Sequence, residues 1–355
     1  MADPPILAAL ELTASAAEAV VDHDTRVALG LTHWVDGTMG FDRRGGRETV
    51  IAPNGPRLAR HRLDLGGFAD GLQARDIEIE GGGWRPDHAS GGPLFRDEAT
   101  GRLLLVYHGE YFAAGDPTDF YAYIGLAASD DDGTSFTDLG AIITSELAED
   151  DPARPHPLEV GAGAYAICDG WFLVFTQERG AQPRYHRRNL LVARARVDDV
   201  LAATRRGRAP AFTKYHDGAF SQPGLGGLAS EVLPSGSDPV LWCDAAWIEP
   251  IQQVLLVYST VVPMPDGTHE WNHAAAVSPD GVHWSPSTRL YPATTKDELI
   301  YLTIDSGGPD QRCITGSTFD VYRVRSAAPY RWDDAVLERV SVTWSAPEPG
   351  GRAGA

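Results

Sequence analysis

The chain has 355 residues, 43% of them hydrophobic, and 30 Lys and Arg against 49 Asp and Glu give a formal net charge of −19. That composition supports a sizeable buried core. It excludes a nucleic-acid or anionic-membrane surface, which needs clustered Lys and Arg, and no stretch reaches the ~18 apolar residues of a membrane-spanning helix.

In chain order, residues 5–20 are rich in Ala, Leu and Glu and predict a short N-terminal helix. The segment lacks the basic n-region of a secretory signal. The expected location is the cytoplasm, or outside the cell as a mature secreted chain lacking its leader. Cys168, Cys243 and Cys313 are far apart and form no Cys-x-x-Cys spacing, so no zinc or redox motif is present. They fit buried free thiols in a reducing compartment, with a single disulfide as the secreted alternative.

Beyond residue 30, helical periodicity is confined to "VDDVLAATRRG" (197–207), with early acids, late Arg and a final Gly. The rest is short β-branched and aromatic runs between Gly, Pro, Asp and Asn. Paired runs recur. "TVIAPNG" (49–55) precedes "RLARHRLDL" (57–65), and "RLLLVYHGEYF" (102–112) precedes "FYAYIGLAAS" (120–129). "GWFLVFTQE" (170–178) precedes "NLLVARARV" (189–197), "QVLLVYST" (253–260) precedes "NHAAAVS" (272–278), and "TFDVYRV" (318–324) precedes "LERVSVTW" (337–344). The first runs start at intervals of roughly 55 to 85 residues.

A further strand candidate lies ahead of each pair, at 32–41, 87–95, 159–167, 239–248 and 299–305. The second and third are rich in small residues, which suits strands crowded about a central axis. These units predict an all-β fold, a five-bladed β-propeller of antiparallel blades over residues 31–345. An N-terminal segment (1–30) and a flexible C-terminal tail (346–355) flank it. A pair of β-sandwiches is the alternative, but sandwiches seldom show such recurrence.

Two acidic turns rhyme: "SDDDGTSF" (129–136) and "SPDGVHW" (278–284). The pattern Ser-x-Asp-x-Gly-x-x-aromatic resembles the Asp box of sialidases and other propeller glycosidases; the second copy is one residue short. The Asp carboxylate can bond turn N–H groups, Gly supplies a positive φ, and the aromatic packs beneath. The resemblance implies turns between outer strands, and hence scaffold.

Successive turns of an antiparallel blade alternate between faces, so the opposite face carries the long loops 108–119, 176–188 and 260–271. Long loops gathered at one end of a rigid scaffold are the usual place for function. Asp36, Asp87 and Glu159 sit near the starts of the first three innermost strands. This arrangement resembles the five-bladed furanosidase superfamily of arabinanases, β-xylosidases and fructan hydrolases. The resemblance implies Asp36 as base or nucleophile, Asp87 as the orienting and tuning acid, and Glu159 as proton donor. The family's Asp-Pro pairs are absent, since Asp36 precedes Gly and Asp87 precedes His.

Glycosidic cleavage needs two carboxyl groups flanking the bond, one of them kept protonated by burial or a neighbouring charge. Glu110, in "YHGEYF", competes for the acid's role. Substrate contacts are expected from Glu110, His108, Tyr111, Arg184, Asp244 and Trp271, with Asp305 a weaker candidate. Arg184 belongs to a basic cluster with His186, Arg187 and Arg188. The Gly-rich stretch 214–227 lacks the Gly-Lys-Ser/Thr ending of a phosphate loop. The scattered histidines support no transition-metal site and no cofactor is required; the resemblance implies at most an axial ion such as calcium, with His88 as a contact.

The expected function is a glycoside hydrolase cleaving a furanoside or related glycan, with an oligo- or polysaccharide substrate. The alternatives are a glycoside phosphorylase, with Arg184, Arg187 and Arg188 holding phosphate, and a non-catalytic carbohydrate-binding propeller. A sialidase is disfavoured, because no Arg-Ile-Pro signature is present.

Overall fold

The computed structural model describes residues 9–44, 46–55, 57–64, 74–77, 79–80, 86–180, 189–233, 240–265 and 269–346. Its first elements are two strands, β1 (Glu11–Ala14) and β2 (Glu18–Val21), followed by a short helix α1 (His23–Ala28) capped by Asp22. The helix expected over 5–20 is therefore corrected to strand from residue 11. Both strands pair antiparallel with the last strand of the chain, Glu11 opposite Ser345 and Glu18 opposite Arg339. An isolated short helix is marginal in water, and a sheet edge supplies the backbone partners it would lack.

The next sheet runs in chain order through β3 (Gly40–Arg44), β4 (Arg47–Asn54), β5 (Arg57–Asp64) and β6 (Ala74–Ile77), all antiparallel. The largest sheet contains two antiparallel runs. In the first, β8 (His88–Ser90) and β9 (Leu94–Arg96) both pair with β10 (Leu103–Phe112), followed by β11 (Phe120–Ser129) and β12 (Phe136–Ile143). A short β7 (Ile79–Glu80) lies parallel on β12. The second run is β13 (Leu158–Cys168), β14 (Trp171–Gly180), β15 (Asn189–Arg196), β16 (Thr213–His216) and β17 (Ala219–Pro223). Helix α2 (Val197–Thr204) follows β15 as expected. A single parallel pairing, Tyr121 with Leu158, joins the two runs.

The third sheet holds β18 (Leu241–Ile248), β19 (Gln253–Pro263), β20 (His269–Ser278) and β21 (Thr288–Arg289). After β22 (Glu298–Asp305), β23 (Cys313–Ile314) pairs parallel with β18 on the edge away from β19. The last sheet is β22, β24 (Thr318–Ser326) and β25 (Val336–Ser345), with β1 and β2 on its edge.

The strands alternate faces, so each sheet has two sides to bury, and apolar interfaces join neighbour to neighbour in a circuit. Ile51 packs with Leu105 and Tyr123, Val106 and Ile124 with Val160 and Val174, and Ala166 and Phe175 with Leu256 and Tyr258. Val257 and Val277 then meet Ile304 and Val321, and Tyr322 and Val324 close back onto Trp34 and Val50. Cys168, Cys243 and Cys313 are free, the first two of them buried. No helix among the described residues is long and apolar enough to cross a membrane.

The acidic turns join β11 to β12 and β20 to β21. Asp131 Oδ1 accepts from Thr134 N at 3.0 Å and Ser135 N at 2.9 Å, while Gly133 has φ 73° and Phe136 is buried beneath. In the second turn Asp280 Oδ1 accepts from Val282 N and His283 N, both at 2.9 Å. Trp284 there packs edge-on to Phe175, with centroids 5.7 Å apart. These carboxylates are occupied with backbone.

Candidate active site

A cavity of about 170 Å³ opens where the first strands of successive antiparallel groups converge. Asp36, ahead of β3, and Glu159, on β13, both line it, as do His88, His108, Glu110 and Gln177. Asp36 is positioned by backbone at both ends: its N–H donates to Pro53 O at 3.2 Å, and its carbonyl accepts from the Ser90 hydroxyl. Its Oδ2 lies 3.4 Å from His88 Nε2.

Residues 108 and 110 are two apart on β10 and so share one face of the strand. His108 Nε2 lies 3.0 Å from Glu110 Oε1, and His108 Nδ1 lies 3.2 Å from the Val160 carbonyl on β13. Burial works to lower the His108 imidazole, but the hydrogen bond and charge of Glu110, with Glu159 and Asp36 beyond, raise it above its ordinary value. Burial likewise works to raise the Glu110 carboxyl, yet His108 and, more weakly, His88 hold it below the usual range. The two shifts agree in describing an ion pair.

Part of the wall is aromatic. Trp242 and Tyr301 line the cavity and meet edge to face, with centroids 5.3 Å apart. Both have positive φ, 38° and 53°, as does the lining residue Ala162 at 74°. Each sits at a register shift of an inner strand: Ala162 to Ala164, Leu241 to Cys243, and Ile300 to Thr303. Such bulges re-aim side chains, and strained backbone of this kind gathers at functional sites. Tyr301 neighbours Asp36; burial, then the charge of Asp36, raises its phenol well above its ordinary value.

The remaining sequence candidates fall elsewhere. Asp87 is exposed and outside the cavity lining, because its carboxylate accepts from Phe112 N at 2.8 Å and so caps a strand end. Tyr111 stacks on Tyr123, with centroids 5.4 Å apart, in the wall behind the site. Trp271 stacks on Trp242 at 6.2 Å and backs that ring without lining the cavity. Asp244 is 0% exposed and pairs with Arg312, which is 2% exposed; it also accepts from Ile304 N at 2.7 Å, so it is a buried structural ion. Asp305 holds Arg43 through two 2.7 Å contacts. Arg184, His186, Arg187 and Arg188 lie outside the described residues.

Sequence reasoning missed Gln177, Trp242 and Tyr301. Gln177 faces Gly161 across the β13–β14 pair, two residues from Glu159, and the pattern of period two carries that signal. The two aromatics had none, because a bulge shifts register without marking the sequence. Among the described residues, no group of three or more His, Cys, Asp or Glu is arranged to hold a metal ion. A larger cavity of about 600 Å³ opens toward the other ends of the inner strands, but Arg43, Arg96, Asp97 and Arg205 on its wall are already in ion pairs.

Neither a protein-family model nor a curated protein sequence matches the chain. Solved structures do. An α-L-arabinofuranosidase of Podospora anserina, crystallised with cellotriose, superposes with a TM-score of 0.52 at 12% identity, over 96% of this chain and 99% of the other. A thermostable family-43 glycoside hydrolase gives 0.51 at 12% identity, over 90% and 96% of the two chains. The α-L-arabinanase of Penicillium chrysogenum, complexed with arabinobiose, gives 0.50 at 13% identity, over 92% and 98%. At such identities the likeness is one of fold, and the chain has the fold of the propeller glycosidases that its repeat pattern resembles.

Proposed function

We propose that the protein is a glycoside hydrolase that cleaves a furanoside or related glycan in this cavity, with Glu159 as proton donor and Asp36 as the opposing carboxylate. In this reading the antiparallel groups are the blades of a five-bladed propeller over residues 31–345. The observation that carries it is the convergence of Asp36 and Glu159, from different sheets, on one small cavity. Glu159 protonates the leaving oxygen as the glycosidic C–O bond breaks through an oxocarbenium-like state. The anomeric carbon is then taken by water, with Asp36 as base or nucleophile.

Two features support a neutral sugar. The described lining has three carboxylates and no Lys or Arg, and Trp242 and Tyr301 add aromatic surface. A cavity of about 170 Å³ is also smaller than the ~300–1,000 Å³ of most ligand pockets, which suits one terminal ring. The arabinose-directed names of the structural neighbours favour a pentofuranosyl unit.

The test is turnover of aryl and natural α-L-arabinofuranosides by folded variants. Asp36→Asn is expected to lose about 10²–10⁴-fold on both substrates, and Glu159→Gln comparably on the natural one but much less on an aryl leaving group that needs no proton. Retention of full activity by both variants would sink the assignment. A requirement for added phosphate, with sugar 1-phosphate as product, would instead make it a phosphorylase.

A further inference from the structure

We propose that His108 is held as an imidazolium at neutral pH and is a positioning residue, tying Glu110 to the strand of Glu159 and leaving Glu159 as the proton donor. The inference rests on the reading of Glu159 given above, but its first support is geometric. The Val160 carbonyl can only accept, so the Nδ1 it faces at 3.2 Å must carry a proton. The second nitrogen faces Glu110 Oε1 at 3.0 Å, and one proton is shared between them. That proton rests on the imidazole, the stronger base by about two pKa units.

The charged groups facing His108 from its surroundings are Glu110 on its own strand, Glu159 on β13, Asp36 ahead of β3, and His88 on β8 opposite Glu110. With Glu159 protonated as the donor, the carboxylates of Glu110 and Asp36 remain, so the surroundings still favour the charged ring. Two consequences follow. Glu110, ionised and bonded to a cation, has no proton to give a leaving group. And Val160, next in sequence to Glu159, is clamped to β10 by a charged donor, which fixes the backbone from which the acid reaches the cavity.

The primary test is nitrogen NMR of the ¹⁵N-histidine-labelled protein, with His108→Gln used to assign the signal. Both ring nitrogens of His108 are expected to be protonated at pH 7 and to titrate above the range of a free histidine. In Glu110→Gln the titration is expected to fall by at least one pH unit. A neutral His108 ring at pH 7 would overturn the proposal. The second test is kinetic: folded His108→Gln should lose about 10- to 100-fold in kcat with KM within about threefold, the scale on which supporting groups act, and the alkaline limb of its pH profile should move. An unchanged kcat and profile would overturn the positioning role. The hydrolase reading fails separately, if Glu159→Gln retains turnover while His108 is still seen as a cation.

Discussion

Gln177 is 5% exposed and turns its amide toward the cavity, where Nε2 finds no acceptor among the described residues. A buried donor left without a partner costs about 1–3 kcal/mol, so a substrate hydroxyl placed there is bound with that penalty already present. Gln177→Leu is expected to lower kcat/KM at least tenfold, and the native enzyme to reject the matching deoxy sugar by more; equal rates on the two sugars would remove Gln177 from the binding set. The buried Asp244 behaves in the opposite way. Asp244→Ala leaves the Arg312 guanidinium uncompensated in the core and is expected to cost about 3–5 kcal/mol in denaturant unfolding. The acids visible in the sequence could not be sorted this way in advance. Asp36, Asp244 and Asp305 look alike in the sequence, and only the partner brought from a distant strand separates a carboxylate that lines the cavity from one held in a buried ion pair. Glu110 and His108 were more legible, since their spacing of two on an evident strand puts them side by side.

Among the elements, the inner strands do most to shape the site, and they were the hardest to read. The paired outer runs were evident because long apolar stretches such as "LLLVY" have few other ways to be buried. The first inner strand, expected over 32–41, begins only at Gly40, and the second is split at residues 91–93 into β8 and β9. Gly-rich sequence gives no register, and the bulges that present Ala162, Trp242 and Tyr301 carry no composition of their own. Their sizes differ widely, one small side chain against two rings. Ala162→Trp is expected to fill the space and abolish sugar binding, as measured by titration calorimetry on Glu159→Gln protein; unaltered affinity would show that the sugar lies elsewhere. The acidic turns predict the reverse pattern. Asp131→Ala removes two backbone acceptor contacts, and about 1–2 kcal/mol of stability should go with them while kcat/KM stays unchanged.

Across the whole molecule, ion pairs reinforce the circuit of apolar interfaces. Arg43 on β3 reaches Asp305 on β22, Arg96 on β9 reaches Asp42 on β3, and Arg205 after α2 reaches Asp97 after β9, so neighbouring sheets and the two runs of the largest one are stapled together. The hydrogen bonds of Arg205, opposed by burial, hold the Asp97 carboxyl at about 2, against an ordinary 3.8. A depressed carboxylate contributes stability that is complete above its unfolded value and is lost as pH falls through the folded one. Asp97→Asn should therefore lower Tm at pH 6 and flatten the acid limb of Tm against pH between about 4 and 2; a limb unchanged from the native protein would assign that loss to other acids.

The pairing of Glu11 with Ser345 has a bearing on how the protein is made. A chain leaves the ribosome from its N-terminus, and a domain generally folds as a unit. Here β1 and β2 wait for β25, the only strand they pair with among the described residues. Until residues 318–345 are available, everything before them is an open arc, with Trp34 and Val50 uncovered at one end and Ile304 at the other. The fold is fastened like a bracelet, and its clasp is made after the rest of the ring.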